Sequence, residues 1–288
     1  MKLYFSVGIS GSGKTHYHQI IPYTILVDSD ATRAELYGDA AIQGNPQEVF
    51  GLMRQKVLAA LYSGKSVYYC ATNLSQKRRI QFIRDIRQKC PNTKFECIIF
   101  VTSFENAIKN MENRKRKVPK DVVWHQMLQF EIPTYDEGWD AIYVQNDLNP
   151  TPAYMMRQKL NEFGSQHNSH HELSLGGHCL QCEIEAIKRW PNDYILHQAA
   201  YWHDVGKMFT QVIGEDGEAH YPNHSNIGAY VALNVGVPLT ACQIIGYHMM
   251  PWMNEAAKAT YKKRLGEKLW NDVIRLHECD IAASKLNT

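Results

Sequence analysis

GISGSGKT, residues 8–15, follows directly on the apolar run LYFSV, residues 3–7. Gly8, Gly13, Lys14 and Thr15 fit the spacing G-x-x-x-x-G-K-[ST], with Gly11 as a further glycine. Glycines let backbone N–H groups turn onto phosphate oxygens, and the start of a helix adds partial positive charge. The backbone of Gly8, Ser10, Gly11, Ser12 and Gly13 is therefore expected to cradle the phosphates of ATP or another NTP. Lys14 reaches the β- and γ-phosphates, and the Thr15 hydroxyl serves Mg²⁺. Strand, glycine-rich turn and helix in that order predict a parallel α/β sheet.

Outward from the loop the pattern continues. TILVDSD (24–30), SVYYCATN (66–73) and KFECIIFVTS (94–103) read as strands. NPQEVFGLMRQKVLAALYSGK (45–65) and LSQKRRIQFIRDIRQKC (74–90) read as helices, and a further helix runs through Arg114. In the first of these helices Val49, Phe50, Met53, Val57 and Leu61 form one apolar stripe. Alternating strands and helices predict a parallel sheet flanked by helices. Past NDLNPTP (146–152) the pattern turns helical throughout, with helices at 178–190, 193–204, 225–236, 240–249 and 267–285. The expected organisation is an α/β domain over residues 1–149 and an all-α domain over residues 150–288.

Composition narrows the chemistry. The net charge is only +2 in 288 residues, so a strongly basic nucleic-acid surface is not declared. Residues 1–150 hold 19 Lys and Arg against 15 Asp and Glu; residues 151–288 hold 12 against 14, with ten of the 13 histidines. Histidine is the commonest metal ligand, so the two halves are expected to do different work. The seven cysteines are scattered; Cys179 and Cys182 form a lone CxxC with no second pair to complete a zinc site. They read as small buried residues of a reducing cytoplasm. The N-terminus runs into a strand without a signal peptide, and apolar runs such as CIIFV (97–101) are too short to span a membrane.

Two acids, Asp28 and Asp30, are expected at the carboxyl end of the second strand, where open α/β sheets bind ligands. Either would serve a kinase as the base that takes a proton from the attacking hydroxyl. Arg33 lies three residues on, placed to hold an acceptor phosphate. With GISGSGKT, VDSDATRAELYGD (27–39), CATNLSQKRR (70–79) and NRKRKVPKDVVWHQMLQFEIPTYDEGWD (113–140), residues 1–145 resemble P-loop kinases of the polynucleotide 5′-kinase type. The resemblance implies Asp30 as general base and Arg33 as acceptor-phosphate clamp. It implies Arg114 or Arg116 in a lid that braces the ATP phosphates. Where that family commonly carries an acid before Thr72-Asn73, this chain has Cys70-Ala71, which leaves Mg²⁺ to Thr15, water or Asp28.

The second half carries His203-Asp204 in YWHDVGK, His178 upstream, and His224, His248 and Asp280 downstream. This order resembles the all-helical HD phosphohydrolase superfamily across residues 165–288. The resemblance implies that His178, His203, Asp204 and Asp280 hold one metal, and that His224 and His248 add a second. Nitrogen and oxygen ligands suit Mn, Fe, Ni, Co or Zn. Lys207 is placed to support a phosphate oxygen. His167, His170, His171 and His220 lie near these residues in sequence; HNSHH (167–171) is expected as an entrance rim, and His197 and His277 as structural. A 5′-kinase joined to an HD domain resembles bifunctional enzymes that heal RNA or DNA ends ahead of a ligase. One activity adds a 5′-phosphate; the other removes a 2′-, 3′- or 2′,3′-cyclic phosphate. Two other readings fit the same residues: a small-molecule or nucleoside kinase fused to a nucleotide phosphohydrolase, and a non-catalytic nucleotide sensor.

Overall fold

The structure is a computed structural model and describes residues 1–21, 24–112, 114, 116–147, 150–166 and 173–284. The chain divides into two compact units, Met1–Gln126 with Pro133–Gln145, and Met127–Ile132 with Asn146–Thr288.

Five parallel strands form the sheet of the first unit: β1 (Lys2–Val7), β2 (Thr24–Asp28), β3 (Ser66–Cys70), β4 (Lys94–Phe100) and β5 (Ala141–Gln145). Their order is β2-β3-β1-β4-β5. The helices that alternate with them are α1 (Lys14–Tyr17), α2 (Ser29–Tyr37), α3 (Pro46–Tyr62), α4 (Gln76–Lys89), α5 (Phe104–Glu112) and α6 (Lys120–Leu128). Phe5 pairs with Tyr69 and Asp28 with Cys70, so β1, β2 and β3 end level with one another. Both faces of β1 are covered, as its near-continuous apolar sequence requires. On one face Phe5 stacks on Tyr69 at 4.9 Å and meets Phe82 and Trp139. On the other, Tyr68, Ile98, Phe100 and Ile21 form a second cluster.

Local chemistry sets the helix ends. Asn45 caps α3 through the Gln47 N–H, with Pro46 opening the first turn. The α3 stripe is buried at Val49, Met53, Val57 and Leu61, each contributing about 1.5–3 kcal/mol of burial. Phe50 stands at its edge. α1 is short, ending after Tyr17. Two sequence expectations need correction. α5 ends at Glu112 rather than Arg114. β5 was not expected; it is five residues long and half exposed at the sheet edge, with no apolar alternation to announce it.

The second unit is helical: α7 (Ala153–Glu162), α8 (Leu175–Arg189), α9 (Tyr194–Trp202), α10 (Lys207–Thr210), α11 (His224–Asn234), α12 (Leu239–Tyr247) and α13 (Glu255–Ser284). Ten residues of α11 are buried, which makes it the central helix of this unit. A two-residue hairpin, β6 (Val212–Ile213) with β7 (Ala219–His220), was also not expected. α13 begins twelve residues before its expected start and is broken at Gly266. The turn after α9 packs tightly on α11: a Cβ on Gly206 would stand 2.0 Å from the His224 carbonyl oxygen. Only glycine permits that approach, and it brings His203-Asp204 against His224. No helix among the described residues is long and apolar enough to cross a membrane. All seven cysteines are free and buried.

Candidate functional site

The glycine-rich loop leaves β1 and folds against its neighbours through backbone bonds. The Gly8 N–H donates to the Thr72 carbonyl at 3.0 Å, and the Ser12 hydroxyl to the Ile9 carbonyl at 2.8 Å. Gly11 has φ +84°, and a Cβ there would meet the Ala107 carbonyl oxygen at 2.3 Å, so both conformation and space demand glycine. Asn110 donates to the Gly11 carbonyl at 2.9 Å, tying the loop to α5. The Ser10 N–H donates to the Gln126 side-chain oxygen at 2.7 Å. Gln126 is a site residue that the sequence did not signal.

The Lys14 ammonium is buried and donates to the Ile9 carbonyl and, at 3.3 Å, to the Ser12 hydroxyl. Burial pulls its pKa down from the ordinary lysine value to about 8, with the Arg114 guanidinium also lowering it. Anionic phosphate is the ligand that reverses this penalty. Tyr68 donates to the Lys14 carbonyl at 2.7 Å and so fixes α1 to β3.

A cavity of about 700 Å³ opens over the ends of β1, β2 and β3. Ser10, Gly11, Gly13, Lys14, Thr15, Asp30, Arg33, Arg114 and Arg116 all line it, as do Asp28, Cys70, Arg78 and Phe50. Gly8 and Ser12 lie behind this lining. The expected acids separate in role. Asp28, not Asp30, ends β2, and its Oδ1 accepts from the N–H groups of Asp30 and Ala31 at 2.9 Å as the cap of α2. Asp30 stands in the first helical turn rather than at the strand end. Its Oδ1 takes the Arg33 guanidinium at 2.9 Å and the Arg116 guanidinium as well. Arg116 therefore contacts the acid, while Arg114 lines the cavity beside Lys14. The Thr15 hydroxyl lies 3.7 Å from the Cys70 sulfur, and both line the cavity with Asp28. A hydroxyl and a carboxylate are hard oxygen donors and fit Mg²⁺; the Cys70 thiol does not.

One arginine of α4 is withdrawn from solvent. Arg79 is fully buried and paired through Nε and Nη2 with Glu137 at 2.7 Å on both sides. Its Nη1 donates to the Asn73 and Leu74 carbonyls at 3.0 and 2.8 Å, which holds the loop that takes the Gly8 N–H.

In the second unit all six expected ligands converge. His178 comes from α8, His203 and Asp204 from the turn after α9, His224 from the first residue of α11, His248 from the end of α12, and Asp280 from α13. They form two groups, His178–His203–Asp280 and Asp204–His224–His248, each with ligand atoms within 4.8 Å of one another. Asp204 faces both. Its Oδ2 is 3.3 Å from His203 Nε2 and 3.6 Å from His178 Nε2, and its Oδ1 is 3.4 Å from His224 Nε2 and 3.7 Å from His248 Nε2. Asp280 Oδ1 lies 3.0 Å from His178 Nε2.

Hydrogen bonds settle the tautomers. Nδ1 of His203, His224 and His248 faces the carbonyls of Ala200, Tyr221 and Ile245 at 2.8, 2.8 and 2.7 Å. A carbonyl only accepts, so each Nδ1 carries a proton and each Nε2 is turned to the ligand cluster. Ring nitrogens face each other there at 3.3 Å (His178–His203) and 3.2 Å (His224–His248). Ligands about 2.1 Å from one ion stand roughly 3.0–3.4 Å apart, so this donor set fits two metal ions.

The electrostatics ask for cations. Burial lowers the His203 imidazole, but Asp204 and Asp280 outweigh it and hold its pKa at about 10. Burial instead prevails at His224 and keeps it near 4. Lys207, Nζ 2.7 Å from Asp204 Oδ2, holds that carboxyl well below the ordinary range together with His203, against burial. Gln166 accepts a second bond from Lys207 at 2.9 Å. Of the histidines near the site in sequence, His220 is exposed and pairs with Asp216, while His167, His170 and His171 of the expected rim lie outside the described residues. His197 bonds the Trp190 carbonyl at 2.8 Å, a structural contact.

Residues 3–133 match the family model described as AAA domain, and residues 180–283 match the HD domain model. The chain thus joins a kinase-like P-loop domain to an HD domain. No curated protein matches the sequence. Among solved structures it is similar to a gluconokinase from Sinorhizobium meliloti 1021 (18% identity, 52% of this chain and 84% of that one, TM-score 0.37). It is also similar to a sugar kinase from Janibacter sp. HTCC2649 (19% identity, 56% and 93%, TM-score 0.39). A third likeness is to a chain of the Pnkp1/Rnl/Hen1 RNA repair complex (21% identity, TM-score 0.37), where 44% of this chain matches and 43% of that chain is covered.

Proposed function

We propose that the chain is a bifunctional end-healing enzyme that phosphorylates 5′-OH polynucleotide ends with ATP and dephosphorylates the opposite ends. The supporting observation is one cavity that holds Lys14 and Thr15 together with Asp30 and Arg33. Donor and acceptor groups thereby share a single space. Lys14 and the loop backbone hold the ATP phosphates, and Arg114 adds charge beside them. Asp30 accepts the proton of the attacking hydroxyl once its arginines turn to phosphate. Thr15 and Asp28 would hold Mg²⁺, which neutralises charge on the transferring phosphoryl group. Arg33 and Arg78, with the aromatic face of Phe50, offer a strand end both phosphate and base contacts.

In the HD unit His178, His203, Asp204, His224, His248 and Asp280 would hold two metals. Transition metals there supply Lewis-acid activation of water and of a phosphoryl oxygen. Asp204 orients toward both groups of histidines, and Lys207 steadies Asp204 and carries positive charge to a substrate oxygen. The substrate in this reading is a terminal 2′-, 3′- or 2′,3′-cyclic phosphate, the site of action is the cytoplasm, and a ligase consumes the product.

The test is transfer from labelled ATP to 5′-OH RNA, 5′-OH DNA, nucleosides and simple sugars in parallel. Phosphorylation of the polynucleotides with a steep salt dependence supports the proposal. Transfer to sugars or nucleosides alone would overturn it in favour of a small-molecule kinase, the reading that the net charge of +2 favours. ATP binding without transfer to any acceptor would leave a nucleotide sensor.

A further inference from the structure

The metal ligands are almost fully enclosed except at one point. Asp280 keeps 16% of its side chain exposed, more than any other ligand of the set. The Asp280 side is therefore the most open approach to the ligands. His277 lies three residues before Asp280 on α13, about 4.5 Å along the helix. Edge-to-face on His277, with ring centroids 4.7 Å apart and planes at 89°, is Trp252. Trp252 closes the short turn Met250–Trp252 that follows the ligand His248. It is thus tied to the site through two ligand-bearing segments.

Trp252 is 59% exposed, and its neighbour Met253 is 42% exposed. A tryptophan carries too much apolar surface to be left in water without cost. The turn beneath it is anchored by the buried Pro251, and the indole is backed by His277, so its remaining face is held in a set position. Burial lowers the His277 pKa, and its Nδ1 is buried without a hydrogen-bond partner, as suits an apolar buttress. Nothing in the metal chemistry uses either residue.

We propose that Trp252, buttressed by His277, is the platform on which the nucleobase of the substrate stacks while its phosphate sits at the metal ligands. The inference rests on the reading of the HD unit as a phosphohydrolase. It deepens that reading by naming a base-bearing nucleotide as the ligand. In a nucleotide the ribose separates base from phosphate, and His277 links Trp252, which it contacts, to Asp280 three residues further along α13. Every base offers a π-face, so the platform selects for nucleotides over base-free esters without choosing among sequences.

Two measurements on the full chain test this. In the first, kinetics compare an oligonucleotide carrying a terminal phosphate on a base-bearing residue with the same oligonucleotide ending in an abasic residue. Trp252→Ala is expected to raise KM for the base-bearing end by about tenfold, with kcat within about twofold and no change for the abasic end. Trp252→Phe keeps most of the affinity. In the second, the metals are removed with a chelator and a nucleoside 3′-monophosphate is titrated. It quenches tryptophan fluorescence in the wild type and not in Trp252→Phe. Equal losses on both ends, or quenching unchanged in Trp252→Phe, would overturn the platform while leaving the phosphohydrolase standing. Absence of any ester hydrolysis by the metal-loaded wild type would overturn the phosphohydrolase instead, and the quenching result would still decide whether Trp252 meets a base.

Discussion

Replacing Glu137 with glutamine removes one charge and almost nothing else. The amide keeps the shape and one acceptor, yet it leaves the Arg79 guanidinium unbalanced where both side chains are fully buried. Arg79 keeps its bonds to the Asn73 and Leu74 carbonyls at 3.0 and 2.8 Å, which carry no charge to balance it. Glu137 also accepts from the Thr134 N–H at 3.0 Å and the Trp139 indole at 3.1 Å, each at a different oxygen, so in either orientation the amide NH₂ faces one of these donors. Breaking one side of a buried pair costs about 3–5 kcal/mol. In a unit of this size that lowers Tm by about 10 °C. The damage reaches the phosphate loop, because the carbonyls that Arg79 holds belong to the strand exit that receives the Gly8 N–H. Glu137→Gln should therefore lose phosphoryl transfer after mild heating while the HD unit keeps its hydrolysis. The paired change Arg79→Met with Glu137→Leu should recover most of the stability, since two apolar groups leave no charge behind. Melting curves followed with residual activity of each unit check both statements. A Glu137→Gln protein whose kinase activity survives to within about 2 °C of the wild-type limit, equivalent to under 1 kcal/mol, would refute the reasoning.

Asp30→Asn should lower kcat of phosphoryl transfer at least about 100-fold while ATP still binds, because its proposed role is on the acceptor hydroxyl; Asp28→Asn should instead cost about 1 kcal/mol or less in α2 capping, seen in melting curves. If Asp30→Asn keeps turnover within about tenfold of the wild type, the assignment of the base is wrong. Lys14 has a folded pKa near 8, below the ordinary lysine value, so folding releases its proton and its penalty to stability fades as pH rises through 8 toward 10.5. ATP phosphates favour the charged form, so ATP binding at pH 8 should take up roughly half a proton, read by calorimetry in buffers of different ionisation heat, and Lys14→Met should take up none. Asp204→Asn should reduce bound metal and abolish ester hydrolysis, whereas His224→Ala and His248→Ala should leave about one metal where the wild type holds two, counted by elemental analysis; one metal per wild-type chain would contradict the two-group geometry.

The elements legible in the sequence were those with their own chemistry or periodicity. GISGSGKT could be read because glycines, lysine and threonine are spaced by a single local conformation. α3 could be read because Val49, Met53, Val57 and Leu61 repeat at helical spacing and all end up buried. β5 was missed because an edge strand of five residues, with Tyr143 and Val144 exposed, has neither the length nor the pattern of its neighbours. Arg79 was hidden in a basic run, and its partner lies 58 residues away, so only the fold distinguishes it from the solvated charges of α4. Asp28 and Asp30 looked equivalent as two acids after a strand. The difference appears only when the helix begins at Ser29 and turns the first acid into a cap.

The HD residues were legible as a set, and the structure supplies the reason that they act as one. His203 and His248 follow directly on the helices α9 and α12, and His224 opens α11. Each sends its Nδ1 proton to the carbonyl three residues earlier. The Tyr221 and Ile245 carbonyls also accept the backbone N–H of His224 and His248, at 3.3 and 3.4 Å, and each takes a second bond from the imidazole. One side-chain bond thereby fixes each of three ring orientations. The freed Nε2 atoms all turn inward on Asp204, whose two oxygens then face separate pairs of histidines. Tautomer choice and metal-ligand direction are therefore one interaction repeated at three histidines. The close approach at Gly206 is what allows two of the three repeats to reach the same carboxylate.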